Sequence, residues 1–214
     1  MNNVALLISG QCRTLDKTFV SIKNAFPNSD IFIHTTIDED SHKAELLSPT
    51  RCFIEPTQTM PEKKEYTYQV GKWCNSVQGT LKQLWGLKRV YQIYKNSNMK
   101  HDLVVRCRPD MLFTKNIDVL DNNDFDVLLP KFDNWWGYND RFAILKNDIA
   151  EKYFNQLDRL DEYIENKGVF HQESILKWNL GDLNIKRCDV TFDILRKDGT
   201  MVKPEYRLDC GDIF

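Results

Sequence analysis

A buried-strand pattern that breaks abruptly into charge limits what this chain can fold into. Residues 103–106 begin with Leu103, Val104 and Val105, an aliphatic run suited to a strand covered on both faces. The run passes straight into Arg106-Cys107-Arg108-Pro109-Asp110, and a second apolar patch, Met111-Leu112-Phe113, follows. Charges at the end of a buried strand need a reason, because unpaired buried charge is costly. In open α/β sheets the reason is a ligand, since the carboxyl ends of the strands face the crevice where ligands bind. Pro109 restrains Arg108 to extended backbone and removes a ladder donor, so the strand is expected to end or bulge there.

The remaining segments supply a sheet for this strand. Residues 4–8 are continuously aliphatic, and Ser9-Gly10-Gln11-Cys12-Arg13 closes them with a glycine turn. Phe19, Ile22 and Phe26 then recur at helical spacing, with Thr14 or Asp16 as cap, until Pro27-Asn28 stops the helix. A strand over residues 30–35 completes a βαβ unit, which predicts parallel strands and a right-handed crossover. Residues 51–55 read as a short third strand, and 56–72 as a polar, exposed excursion. Val77, Leu81, Leu84, Leu87, Val90 and Tyr94 predict the longest helix, over residues 76–94. Strands follow at 125–129 and 141–145. Helices are expected at 148–156 and 157–166, with Gly168 as stop, and at 170–180, ended by Gly181. Two last strands fall at 183–187 and 190–195. The pattern predicts one α/β domain, an open sheet flanked by helices.

Composition narrows the function classes. Of 214 residues, 29 are Lys or Arg and 31 are Asp or Glu, so the chain lacks the overall basicity of a nucleic-acid wrapper and no nucleic-acid partner is expected. The 6 cysteines are scattered singly, without the close spacing of zinc sites, and read as free thiols of a reducing compartment. The first apolar run is too short to span a membrane and lacks a basic leader. A cytoplasmic chain with no transmembrane segment is the expectation.

Three constellations carry candidate chemistry. The guanidinium groups of Arg106 and Arg108 offer forked donors for phosphate oxygens, and the Asp110 carboxylate can hold a divalent cation bridging the same phosphates. The alternative is that the arginines pair with surface carboxylates while Asp110 caps a turn. The loop Trp135-Trp136-Gly137-Tyr138-Asn139-Asp140 combines apolar faces for sugar rings with amide and carboxylate groups for hydroxyls, unless both tryptophans pack in the core. His171 and Glu173 open a helix, where His171 serves as ligand or cap and Glu173 favours the helix dipole in any case. Gln11 and Arg13 sit on a loop suited to a base, ribose or diphosphate. Arg196 is placed either to close on a diphosphate or simply at the surface.

Taken together, the strand-glycine-Gln-x-Arg opening, Arg106-Cys107-Arg108-Pro109-Asp110, Gly137-Tyr138-Asn139-Asp140-Arg141-Phe142-Ala143, His171-Gln172-Glu173 and Leu195-Arg196-Lys197-Asp198-Gly199 resemble small GT-A-type glycosyltransferases of viral and bacterial glycan pathways. The resemblance covers nearly the whole chain. It implies a single-domain GT-A-like α/β fold, a Rossmann-like mixed sheet flanked by helices, with a nucleotide-sugar donor bound by residues 1–113 and a glycan acceptor bound by residues 114–214. Donor contacts would fall to Ser9, Gly10, Gln11, Arg13, Arg106, Arg108, Asp110 and Arg196, and acceptor contacts to Trp135, Trp136 and Asn139. Asp140, placed like the carboxylate of a Trp-Gly-x-x-Asp loop, would be the base, with Glu173 as a second catalytic candidate. The resemblance also implies Mn or Mg on an Asp-x-Asp motif. Here Arg108 replaces the first aspartate, so either Arg108 supplies part of the cation's charge or Asp110 holds the ion with His171 as a second ligand. Other classes compatible with these residues are a metal-dependent phosphohydrolase or nucleotidyltransferase and a non-catalytic nucleotide-sugar or glycan-binding module.

Overall fold

The computed structural model of the chain describes residues 3–66, 76–115, 117, 124–167, 169–203 and 205. Its elements are β1 (Val4–Ser9), α1 (Leu15–Ala25), β2 (Asp30–Thr36), β3 (Arg51–Glu55), α2 (Val77–Lys95), β4 (Leu103–Cys107), β5 (Met111–Phe113), β6 (Val127–Pro130), β7 (Ala143–Lys146), α3 (Ala150–Phe154), α4 (Leu160–Lys167), α5 (Gln172–Leu180), β8 (Ile185–Cys188), β9 (Phe192–Leu195) and β10 (Met201–Val202). They form a mixed α/β domain. Among the described residues the main sheet has 7 strands in the order β3-β2-β1-β4-β7-β6-β8, and a second sheet of 3 strands runs β10-β9-β5.

The parallel half is β3-β2-β1-β4, and β7 enters antiparallel to both β4 and β6. Side chains alternate across a strand, so β1 feeds two cores. Val4, Leu6 and Ile8 pack with Leu15, Ile22 and Phe26 around α1. Ala5 and Leu7 pack with Leu84, Leu87 and Val90 of α2 on the opposite face. The same alternation sends Val105 and Cys107 to the first core and Val104 to the second, which assigns Arg106 to the α2 face beside Leu7, its register partner.

Chain direction creates a crevice at the end of this pair. From β1 the chain builds outward through β2 and β3, then returns along α2 to place β4 on the other side of β1. The carboxyl ends of β1 and β4 therefore flank the switch point where open sheets bind ligands.

Local chemistry explains the departures from the sequence expectations. Thr14 stands at the cap position of α1 without capping it, because its hydroxyl donates to Leu195 O at 3.2 Å and ties α1 to β9. Ser76 does cap α2, accepting from Gly79 N at 3.0 Å. β7 begins at Ala143 rather than 141, since Arg141 N donates to Asn139 Oδ1 at 2.9 Å and is diverted from the ladder. The segment after Pro109 leaves the main sheet and becomes β5 of the small sheet, an element the sequence pattern showed only as an apolar patch. Gly168, Cys74, Cys210 and residues 67–72 of the polar excursion lie outside the described residues. Among the described residues Cys12, Cys52, Cys107 and Cys188 are free thiols, and no helix is long and apolar enough to cross a membrane.

Candidate active site

The crevice is a cavity of about 440 Å³, and Ser9, Gly10, Gln11, Arg13, Arg106, Arg108, Asp110 and Arg196 all line it. Three chain segments bring them together: the turn after β1, the end of β4, and the residues after β9. Gly10 makes the approach of the first two possible. Its φ is +137°, its N–H donates to His34 O at 3.3 Å, and a Cβ there would meet Pro109 Cδ at 3.2 Å.

Arg106 is 1 % exposed. Its Nη1 donates to Ser9 O and Cys107 O, while Nε has no hydrogen-bond partner among the described residues. Burial pushes its pKa down. Arg108 grips Asp110 with a two-pronged pair, Nε to Oδ1 at 2.8 Å and Nη2 to Oδ2 at 2.7 Å. Burial opposes the Arg108 charge, but the charge and hydrogen bonds of Asp110 together hold its pKa above the ordinary value. Burial likewise opposes ionisation of Asp110, and the Arg108 guanidinium outweighs it, holding that carboxyl below the usual range.

A second group adjoins the cavity through α2. Gln83, itself a lining residue, donates from Nε2 to Asp140 Oδ2 at 2.5 Å. The Asp140 backbone carbonyl accepts from Tyr153 Oη at 3.1 Å. His171 Nε2 lies 3.3 Å from Glu173 Oε2, and its Nδ1 is 2.9 Å from Ser174 Oγ. Burial lowers the His171 pKa, and Asp140 opposes that shift. Burial, reinforced by the charge of Asp140, pushes the Glu173 carboxyl up to about 8. Gly137 packs directly on this helix start: a Cβ would lie 2.0 Å from Glu173 O, and Tyr138 N donates to the same oxygen at 3.0 Å.

Trp135 and Trp136 are half-buried, with ring centroids 6.3 Å apart, and Trp136 meets His171 edge-on at 5.8 Å. Neither tryptophan is a core residue. Asn139 is fully buried, and its carboxamide is used within the loop, donating to Phe132 O at 3.0 Å and accepting from Arg141 N. It shapes the loop that carries Asp140.

The metal expectation meets an unsuitable donor set. Both Asp110 oxygens are engaged by Arg108, and the His171 imidazole is engaged by Ser174 and Glu173. Among the described residues no group of three or more His, Cys, Asp or Glu side chains is placed to hold a metal ion. Asp110 and His171 as arranged do not fit a divalent cation.

Sequence reasoning missed several lining residues. Gly79, Lys82, Gln83 and Gly86 occupy one face of α2 at spacings of three and four, and that periodicity was hidden behind the apolar one. His34 lines the cavity from β2, held by Glu55 at 3.0 Å and set edge-on to Trp85 at 4.8 Å.

The family model described as "Domain of unknown function (DUF7796)" matches residues 2–197. The chain belongs to the DUF7796 family. No curated protein sequence matches this family member. Among solved structures, the glycosyltransferase GlyE of Streptococcus pneumoniae superposes with a TM-score of 0.51 at 13 % identity, over 88 % of this chain and 45 % of GlyE. The chain thus spans less than half of GlyE. A glycosyltransferase involved in glycosylation of the major capsid of PBCV-1 gives 0.47 at 8 % identity over 87 % and 81 %. The mannosyltransferase PcManGT of Pyrobaculum calidifontis, solved with GDP-Man and Mn2+, gives 0.43 at 9 % identity over 71 % and 46 %. The GlyE superposition assigns this DUF7796 chain a glycosyltransferase-like fold.

Proposed function

We propose that the chain moves a sugar from a nucleoside-diphosphate sugar to a hydroxyl of a glycan acceptor. The observation that supports this best is the charge of the cavity. Arg13, Lys82, Arg106, Arg108, Arg196 and Lys197 line it, and among the described residues Asp110 is the only acidic group in its lining, in a chain whose net charge is -2. A diphosphate carries the charge that these cations match, and it gains more as it leaves, when fixed positive groups help most.

In the transfer, the acceptor oxygen bonds to the anomeric carbon, the bond from that carbon to the diphosphate oxygen breaks, and the nucleoside diphosphate departs with the electron pair. In an inverting reaction Asp140 takes the acceptor proton; Gln83 fixes one of its oxygens and the other serves as base. In a retaining reaction Asp140 only orients the acceptor. Glu173, pushed up to about 8, stays largely protonated at neutral pH and serves as a hydrogen-bond donor beside it. Trp135 and Trp136 offer the sugar-stacking faces. The His34 and Trp85 rings offer an aromatic wall to the nucleoside. In this reading residues 1–113 supply most of the donor site, Arg196 and Lys197 line the same cavity from the later half, and residues 114–214 carry the acceptor loop.

The test is a thermal-shift panel of UDP-, GDP-, CMP- and dTDP-sugars, each with and without Mn. A donor at about a hundredfold its Kd stabilises the fold by roughly 2.7 kcal/mol, a Tm rise of roughly 5 to 10 °C. Silence across the panel overturns the proposal.

A further inference from the structure

We infer that the Arg108 guanidinium, seated on Asp110, occupies the place of a divalent cation, so that the cavity binds a nucleoside diphosphate without metal. The inference rests on the donor reading above and specifies the chemistry of that site.

Four observations carry it. Both oxygens of Asp110 accept from Arg108, at 2.8 and 2.7 Å, in a two-pronged pair that puts a guanidinium, not a cation, across the chelating face of the carboxylate. No other cluster of His, Cys, Asp and Glu among the described residues offers a replacement set. The cavity walls already bring Arg13, Lys82, Arg106, Arg196 and Lys197 to the same space, so a further dication would enter against like charge. Finally, Arg106 is 1 % exposed, lines the cavity, and keeps a buried Nε with no hydrogen-bond partner among the described residues. A buried donor without a partner is costly, and a phosphate oxygen is the acceptor that would complete it.

Asp110 acquires a different task in this arrangement. It orients Arg108, whose guanidinium has five donor hydrogens and spends two on the carboxylate, leaving three for phosphate oxygens. Guanidinium geometry suits paired oxygens and is independent of the cation supply. Arg108 is therefore a binding residue for the diphosphate, and Asp110 a positioning residue that acts through it.

Isothermal titration of the full chain with UDP, GDP, ADP and dTDP, in EDTA and again in millimolar Mn, tests this directly. The expected result is binding of at least one diphosphate in EDTA, with a Kd that changes less than about threefold on adding Mn. Arg108→Ala should weaken that binding roughly tenfold to a hundredfold, the loss of charge-assisted hydrogen bonds. Asp110→Asn should weaken it by the same factor in EDTA and in Mn, whereas a metal ligand would lose only the Mn-dependent part. Binding that requires Mn overturns the inference and leaves the donor reading standing. Wild-type affinity in Arg108→Ala also overturns it. If none of the four diphosphates binds in either buffer, both readings fall. Should Arg108→Ala fail to fold, the wild-type titrations decide alone.

Discussion

Gly137→Ala is the sharpest perturbation the site offers, because one methyl group separates the loop of Asp140 from the start of α5. An added Cβ would lie 2.0 Å from Glu173 O, 2.1 Å from Glu173 C and 2.5 Å from Ser174 N. All three atoms are backbone of a helix start, so no side chain can rotate away. Either the loop or the helix must shift, and the 3.0 Å hydrogen bond from Tyr138 N to Glu173 O breaks with it. Overpacking costs about 1–3 kcal/mol and the lost hydrogen bond about 1 kcal/mol, together roughly 2–4 kcal/mol. For a domain of this size that lowers Tm by roughly 5 to 15 °C. Asp140, three residues on, moves off its position against Gln83, so under the proposed function transfer and donor hydrolysis fall steeply. Donor binding persists, because Gly137 does not line the cavity. Scanning calorimetry with and without nucleotide, alongside a donor-hydrolysis assay, separates these effects. A Gly137→Ala chain with wild-type Tm and wild-type turnover would refute the packing argument.

Three further outcomes are expected. Asp140→Asn retains donor binding and loses about 10²- to 10⁴-fold in turnover if Asp140 is the base; an unchanged rate rejects that role. Glu173 is raised from 4.5 to about 8 in the fold, so the native state holds its proton where the unfolded chain has lost it. The contribution of Glu173 to stability is thus fully present below pH 4.5 and is lost as pH rises through about 8. Glu173→Gln removes this decline, so urea titrations from pH 5 to 8 should show the variant gaining on wild type; parallel curves contradict the shift. Trp136→Ala should raise the acceptor KM about tenfold or more while donor Kd stays put, and a change in donor Kd alone would reassign the loop.

The parts of the site visible beforehand are those with a local cause. Arg106, Arg108 and Asp110 stand out because charge follows an aliphatic strand, and Gly10 stands out because a strand must turn. Gln83 and Lys82 carry no such mark, since a polar residue on a helix is ordinarily solvated, and only tertiary packing turns that face of α2 toward the crevice. His34 lies within a strand that reads as structural, and its place in the cavity depends on which side of β1 the chain places β4. β5, three residues long, and β10, two, are too short for periodicity to reveal. The pairing of Arg108 with Asp110 is the clearest case of chemistry beyond pattern: the spacing shows both charges, but not that each satisfies the other.

The position of β7 has a consequence for how the chain is made. Val127–Pro130 is an apolar strand, and its two neighbours in the sheet, β7 and β8, both lie later in the sequence. On a ribosome, β1, β2, β3 and β4 can all find one another before residue 110 has emerged, while β6 must wait for residues 143–146 to bridge it to β4. During that interval a bare apolar edge is presented to the nascent chain's surroundings. Slow passage through residues 131–142 would prolong that exposure and favour aggregation, even though the finished strand is sealed on both sides.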